Sequence, residues 1–153
     1  AWGIYGIALG YRYTRKKEYI DLFKKVTDYF LDKLPEDLVP FWDLEFTDGS
    51  NEPRDSSSAS IAICGILEMV KYLPEEDKDY YTSIAKKMMK SLVDNYAVKD
   101  RSISNGLVLH STYSKKSPYN TCNHAGVDEC NSWGDYFYLE ALTRLKKDWD
   151  LYW

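Results

Sequence analysis

The 153 residues are enough for one compact core and too few for two. Apolar residues make up 44% of the chain, which excludes a disordered protein, and the formal charge of -4 is spread without a basic stripe, which excludes a nucleic-acid partner. The longest apolar stretch, Ala59 to Val70, is interrupted by Ser60 and Glu68 and is too short to cross a bilayer, so no membrane partner is expected.

The chain opens with Ala1-Trp2-Gly3, without an initiator Met and already in a helical pattern, so its natural N-terminus is expected upstream. From Trp2 to Tyr13 there is no charge before Arg12, and Gly3, Gly6 and Gly10 share the first three turns. Each glycine costs a helix about 1 kcal/mol relative to alanine, so this helix is expected to be crowded by neighbours and buried on most sides. From Lys17 to Leu34 the pattern changes: Tyr19, Ile20, Phe23, Val26, Phe30 and Leu34 form one stripe, and Lys17, Glu18, Asp21, Lys24, Lys25, Asp28 and Asp32 cover the rest. That is an amphipathic helix with one wet face, stopped by Pro35. Residues 36–54, with Pro40, Gly49 and Pro53, read as a long connection.

The next helix is expected to begin in Ser56-Ser57-Ser58, where a hydroxyl can cap backbone N–H groups, and it is apolar almost all round through Val70. Pro74 then precedes an amphipathic helix with Glu75, Glu76 and Asp77 in its first turn, as the helix dipole favours. Its stripe is Tyr81, Ile84, Ala85, Met88, Leu92 and Tyr96. A second long connection, 99–131, is rich in Ser, Asn, Lys and Tyr, and Leu107-Val108-Leu109 within it can be extended. Ser132-Trp133-Gly134-Asp135 resembles a capping box opening a last helix whose apolar set is Trp133, Phe137, Leu139, Leu142 and Leu145.

Buried and amphipathic helices thus alternate, as in the inner and outer rings of an α/α barrel, whereas a plain bundle makes every helix amphipathic. Both long connections follow an amphipathic helix and precede a buried one. If the rings run in opposite directions, both loops emerge at the same end, where a site is expected. The rings are numerous, 14 Tyr, 5 Trp and 5 Phe, and suit either a ring-lined surface there or a Tyr-rich core.

Four blocks in order resemble the unsaturated glucuronyl hydrolases, glycoside hydrolase family 88. Ala1-Trp2-Gly3-Ile4-Tyr5-Gly6, with Tyr11 and Thr14, looks like the helix after that family's Arg-Gly-Gln motif. Val39-Pro40-Phe41-Trp42-Asp43 and Arg54-Asp55-Ser56-Ser57-Ser58-Ala59 are similar to its loop and next inner helix. Asp128-Glu129-Cys130 and the run Trp133 to Leu142 resemble its final helix.

The resemblance implies an all-α fold, the (α/α)6 barrel of the six-hairpin glycosidases, with residues 1–153 as the C-terminal part of one catalytic domain. The N-terminal remainder of that barrel is then its partner. It implies a substrate too: a lyase-generated glycosaminoglycan oligosaccharide ending in a C4=C5 unsaturated uronic acid, removed by vinyl-ether hydration without metal or organic cofactor. The carboxylate-spacing rule of ordinary glycosidases does not apply to such a reaction. The family's catalytic aspartates lie upstream of residue 1, so the role passes to no Asp of this chain.

Tyr113 matches a pocket-lining Tyr of the family. Ser111, Ser114 and Lys116 are similar to the pattern by which some members hold a 6-sulfate on the adjoining amino sugar. Two hydroxyls and an ammonium suit a small anion, although a Ser/Lys loop can equally be plain solvated surface. Trp42 and Asp43 are further candidates for contacting the sugar, and Asp43 can instead cap a turn. Chondroitin- or hyaluronan-derived disaccharides are the expected substrates. The alternatives are an unsaturated rhamnogalacturonyl hydrolase acting on pectin fragments and a non-catalytic helical sugar-binding or scaffold module.

His110, Cys122, His124 and Cys130 do not have a familiar zinc spacing and are expected to pack over the barrel mouth. Three Cys do not resemble a disulfide framework, which favours the cytoplasm.

Overall fold

The computed structural model describes residues 1–115 and 126–149. Among the described residues the chain is all-helical: α1 (Trp2–Thr14), α2 (Glu18–Asp32), α3 (Ser56–Met69), α4 (Glu75–Ser91) and α5 (Ser132–Lys146). A 3₁₀ turn, Val70–Tyr72, follows α3, and a π turn, Leu92–Tyr96, prolongs α4. Among the described residues, extended pairing is limited to isolated bridges, Phe41 with Arg54, Ala97 with Val108 and Ser111 with Glu129. No helix among the described residues is long and apolar enough to cross a membrane.

Helices α1 and α2 form a tight hairpin turned by Arg15, whose left-handed backbone (φ 57°) lets its N–H close on Tyr11 O. Gly3 faces Val26 and Gly10 faces Tyr19, so the two helices are antiparallel. As the stripe predicts, α2 buries Phe23 and Phe30, together with Thr27. Every residue of α3 is buried except Ser58, as expected of a helix apolar on all sides. It lies between α1 and α5, with α2 and α4 packed outside. The α1–α3 crossing is close enough that a Cβ on Gly65 would meet Tyr5 backbone atoms at 2.7 Å, so only glycine fits there.

The three inner helices run the same way. Trp133 at the start of α5 bonds Ser57 at the start of α3, and Arg144 near the end of α5 bonds Glu68 near the end of α3, which also receives Arg12 near the end of α1. The outer helices are parallel to each other, joined by Lys24 to Asp77 and by Tyr81 to Asp28. Three parallel inner helices with two reversed outer ones make an arc of an α/α barrel. Both long loops open at the end where α3 and α5 begin.

Four sequence expectations are corrected. Helix α1 is not buried on most sides in this chain: Ile4, Tyr5 and Ala8 are, while Trp2, Gly3, Gly6 and Tyr13 are exposed; α2 and α3 pack along it, and α5 reaches it through Phe137 and Glu140. The cap of α3 is the Asp55 carboxylate rather than a serine hydroxyl. The cap of α5 falls one residue earlier than predicted, at Asn131, whose Oδ1 accepts the Gly134 N–H at 2.7 Å; Asp135 instead accepts Leu107 and Val108 N–H groups. The buried face of α5 is Gly134, Phe137, Tyr138, Glu140 and Ala141, whereas Leu139 is 52% exposed.

Candidate functional site

The mouth is organised by Asp55. Its Oδ1 accepts from Ser57 Oγ at 2.6 Å, Ser57 N at 3.2 Å and Thr112 N at 3.4 Å, and its Oδ2 accepts from Ser58 Oγ. One carboxylate therefore starts α3 and holds the second loop to it. Trp133 Nε1 donates to Ser57 Oγ at 3.3 Å, and the Trp133 ring meets Tyr113 edge-on with centroids 5.2 Å apart. A Cβ on Gly134 would lie 2.8 Å from Asn131 Oδ1 and 3.0 Å from Ser111 Oγ, so the loop and α5 seat together only around a glycine.

The second loop reaches α3 through His110, whose carbonyl accepts Ser56 N–H at 3.1 Å. His110 takes a left-handed conformation (φ 64°), as does Asp128 (φ 58°), and His110 Nδ1 pairs with the Asp128 carboxylate. Non-glycine residues pay a conformational penalty there and persist because their surroundings fix them. The fixing bonds are the two Ser111–Glu129 backbone hydrogen bonds, at 2.8 and 2.9 Å, and the Asp128 N–H donating to Thr112 Oγ1 at 3.2 Å. Gly126 O accepts the Tyr113 and Ser114 N–H groups.

The candidate residues fall at three depths. Tyr113 is 52% exposed, with one edge against Trp133, and Ser114 is half-buried. Ser111 is fully buried beneath them, its Oγ 3.0 Å from Ser56 Oγ, so it supports the loop from within. Trp42 is half-buried near Phe46 and donates its Nε1–H to Glu52 at 2.7 Å. Asp43 is exposed and accepts the Glu45 N–H at 3.0 Å, the turn-capping arrangement. Lys116, Cys122 and His124 lie outside the described residues. Cys64 and Cys130 are free thiols, Cys64 buried in α3 and Cys130 beside Ser104 Oγ.

At the mouth the α3 N-terminus is already met by the Asp55 carboxylate and the α5 N-terminus by Asn131 Oδ1. Beside them stand the exposed Tyr113 and the half-buried Ser114 and Trp42, rings and a hydroxyl of the kind that suits a sugar.

At the opposite end of the same helices lies a cluster that sequence reading missed. Glu68 is fully buried and accepts from Arg144 Nη1 (2.7 Å), Arg12 Nη1 (3.0 Å), Lys71 Nζ (3.1 Å) and Tyr72 OH (3.0 Å). Arg144 Nε donates to Glu140 Oε1 at 2.7 Å, and Tyr5 OH donates to the same oxygen at 3.2 Å. Burial pushes the Glu68 carboxyl up, but the bonds from Arg144, Arg12 and Lys71 outweigh it and hold it down at about 2. Burial, and then the nearby Glu140, push the Tyr5 hydroxyl up. The only sequence signals were an acid inside an apolar run and the Glu140–Arg144 spacing of four residues.

An arc of parallel inner helices with its polar loops gathered at one mouth defines an α/α-barrel protein. Comparison with known proteins narrows this. No family model matches the chain. It is 52% identical to the unsaturated chondroitin disaccharide hydrolase of Streptococcus agalactiae serotype III (strain NEM316), covering 100% of this chain and 37% of that protein. It is 36% identical to the unsaturated glucuronyl hydrolase of Bacillus sp. (strain GL1), covering 100% of this chain and 40% of that protein. The fold superposes with a TM-score of 0.91, at 51% identity, on the crystal structure of a mutant unsaturated glucuronyl hydrolase from S. agalactiae complexed with dGlcA-GalNAc6S, covering 99% of this chain and 39% of that one. The chain belongs to the unsaturated glucuronyl hydrolase family, and it spans 37–40% of the length of these curated relatives.

Proposed function

We propose that the chain is the C-terminal part of a single α/α-barrel catalytic domain. In this reading the whole enzyme removes the unsaturated uronic acid from the non-reducing end of glycosaminoglycan oligosaccharides by vinyl-ether hydration, in the cytoplasm. The observation that carries this is similarity along the full chain, at about half the residues, to hydrolases named for unsaturated chondroitin disaccharide. The geometry supports it: the exposed Tyr113 and the half-buried Trp42 stand on the two loops at the mouth. Within that reading Tyr113, Ser114 and Trp42 present themselves to the sugar, Ser111 acts from beneath, and Lys116 completes a 6-sulfate contact. Asp43 belongs to the wall of the first loop. Catalytic carboxylates come from the remainder of the barrel.

Loss of C=C absorbance on adding an unsaturated disaccharide tests the activity. The full-length enzyme is expected to turn over and the 153-residue chain alone is not. Turnover by the short chain would place the proton donor within it. For the sulfate contact, Lys116→Ala is expected to lower kcat/KM about five- to a hundredfold on 6-sulfated disaccharide and hardly at all on the unsulfated one. An unchanged ratio between the substrates would remove the preference for a sulfated glycan.

A further inference from the structure

We propose that Glu52 is a positioning residue for substrate recognition, joining the two mouth loops into one unit through Lys115 and Trp42; this rests on the functional reading above. Glu52 lies on the first loop and Lys115 on the second, 63 residues apart in sequence, and their side chains pair directly. The same Glu52 oxygen accepts Trp42 Nε1–H at 2.7 Å, and Lys115 Nζ stands 6.0 Å from the centre of the Trp42 ring. Both members of the pair are partly shielded, at 29% and 27% side-chain exposure, so water screens them less than a fully exposed pair. Glu52 is itself held in place: its N–H donates to Ser50 Oγ at 3.1 Å, and Trp42 N–H donates to Pro53 O at 3.0 Å.

The position of Lys115 gives the pair its consequence. It follows Tyr113 and Ser114, which rest on the rest of the molecule through Gly126 O and the Trp133 ring. Among the described residues the tie to Glu52 reaches from this limb to the opposite loop. It also neutralises a cation next to the groups expected to meet an anionic sugar, so Lys115 is spent on loop geometry and leaves anion selection to its neighbours. Cutting the tie from either side should loosen the same limb, which makes the two residues energetically one unit.

The experiment uses the full-length enzyme with Glu52→Gln, Lys115→Met and the double variant. Steady-state kinetics are measured on unsulfated and 6-sulfated unsaturated disaccharides, and hydrogen exchange of the Tyr113 and Ser114 amides without substrate. Each single variant is expected to raise KM about fivefold with kcat nearly unchanged, and the double variant no more than either single one. Exchange of both amides is expected to quicken in Glu52→Gln, with little change in Tm. Multiplying effects in the double variant, an unaltered KM, or unaltered exchange would each overturn the proposal. A parent enzyme without turnover would overturn the functional reading instead, and the exchange comparison would then decide the tie by itself.

Discussion

The two ends of the inner helices solve the same problem, joining α3 to α5, in opposite ways. At the far end the join is charge sealed from water: Glu68 and the Arg144 side chain are exposed by 0% and 1%. At the mouth it is a capping carboxylate, serine hydroxyls and an edge-on ring pair, open enough that Tyr113 is half exposed. The sealed part of the cluster resists substitution at its centre, since removing Arg144 leaves Glu140 and part of Glu68 buried without their shared cation. A mouth made of short hydroxyl bonds and exposed rings can lose one group and keep its fold. The difference separates residues that hold the arc from residues that meet a ligand.

The largest expected effect breaks the sealed end. Arg144→Met leaves Glu68 and Glu140 without their shared cation and is expected to cost about 3–5 kcal/mol, read as a fall in denaturant midpoint. A loss below about 1 kcal/mol would make the cluster no more than a surface network.

Acid attacks the same end more gently. Glu68, ordinarily at 4.5, is held at about 2 in the folded chain, so its contribution is full above 4.5 and is lost as pH falls toward 2. The expected loss across that window is about 3 kcal/mol. About 2 kcal/mol of that falls between pH 5 and pH 3, and this part should vanish in Glu68→Gln when stability is compared at the two pH values.

Asp55→Ala strikes the mouth where it is most structural. It removes the α3 cap and the tie to Thr112, and about 1–2 kcal/mol of stability is expected to go with them. Tyr113→Phe sharpens the comparison from the other side, in the full-length enzyme. Stability should hold while kcat/KM falls by the equivalent of about 0.5–1.5 kcal/mol, the worth of one neutral hydrogen bond. A large drop in Tm with unchanged kinetics would return Tyr113 to the scaffold. Smallest of all, Asp43→Ala loses a single turn bond on an exposed loop and should stay within about 0.5 kcal/mol in stability.

Much of the arc was legible from the order of residues. The all-round apolar run of α3 announced a helix covered on every side, and the single stripes of α2 and α4 announced an outer layer with one wet face. The acidic first turn of α4, Glu75 to Asp77, stands where Pro74 and the charge pattern place it. In helix α5 the apolar set holds at every position but one: Phe137 is buried and Trp133, Leu142 and Leu145 pack against the core, while Leu139 is exposed. Glu140 and Arg144 look solvated, yet they are buried. The two long loops collect at one end, as the alternation of layers predicts, with Tyr113 exposed and Trp42 half-buried on them. The burial of Ser111 was not legible, because a serine carries no sign of whether its hydroxyl is turned outward or, as here, toward Ser56.

Sequence alone determined the helical class, the alternation of layers and the end of the arc at which the loops collect, because these follow from apolar spacing and breakers within a few turns of chain. Tertiary structure decided which charges are sealed, which carboxylate caps α3 and which loop residues touch one another. Glu68 meets Arg144 across 76 residues and Glu52 meets Lys115 across 63. Contacts at such separations depend on how whole helices are placed, and no local pattern records that placement.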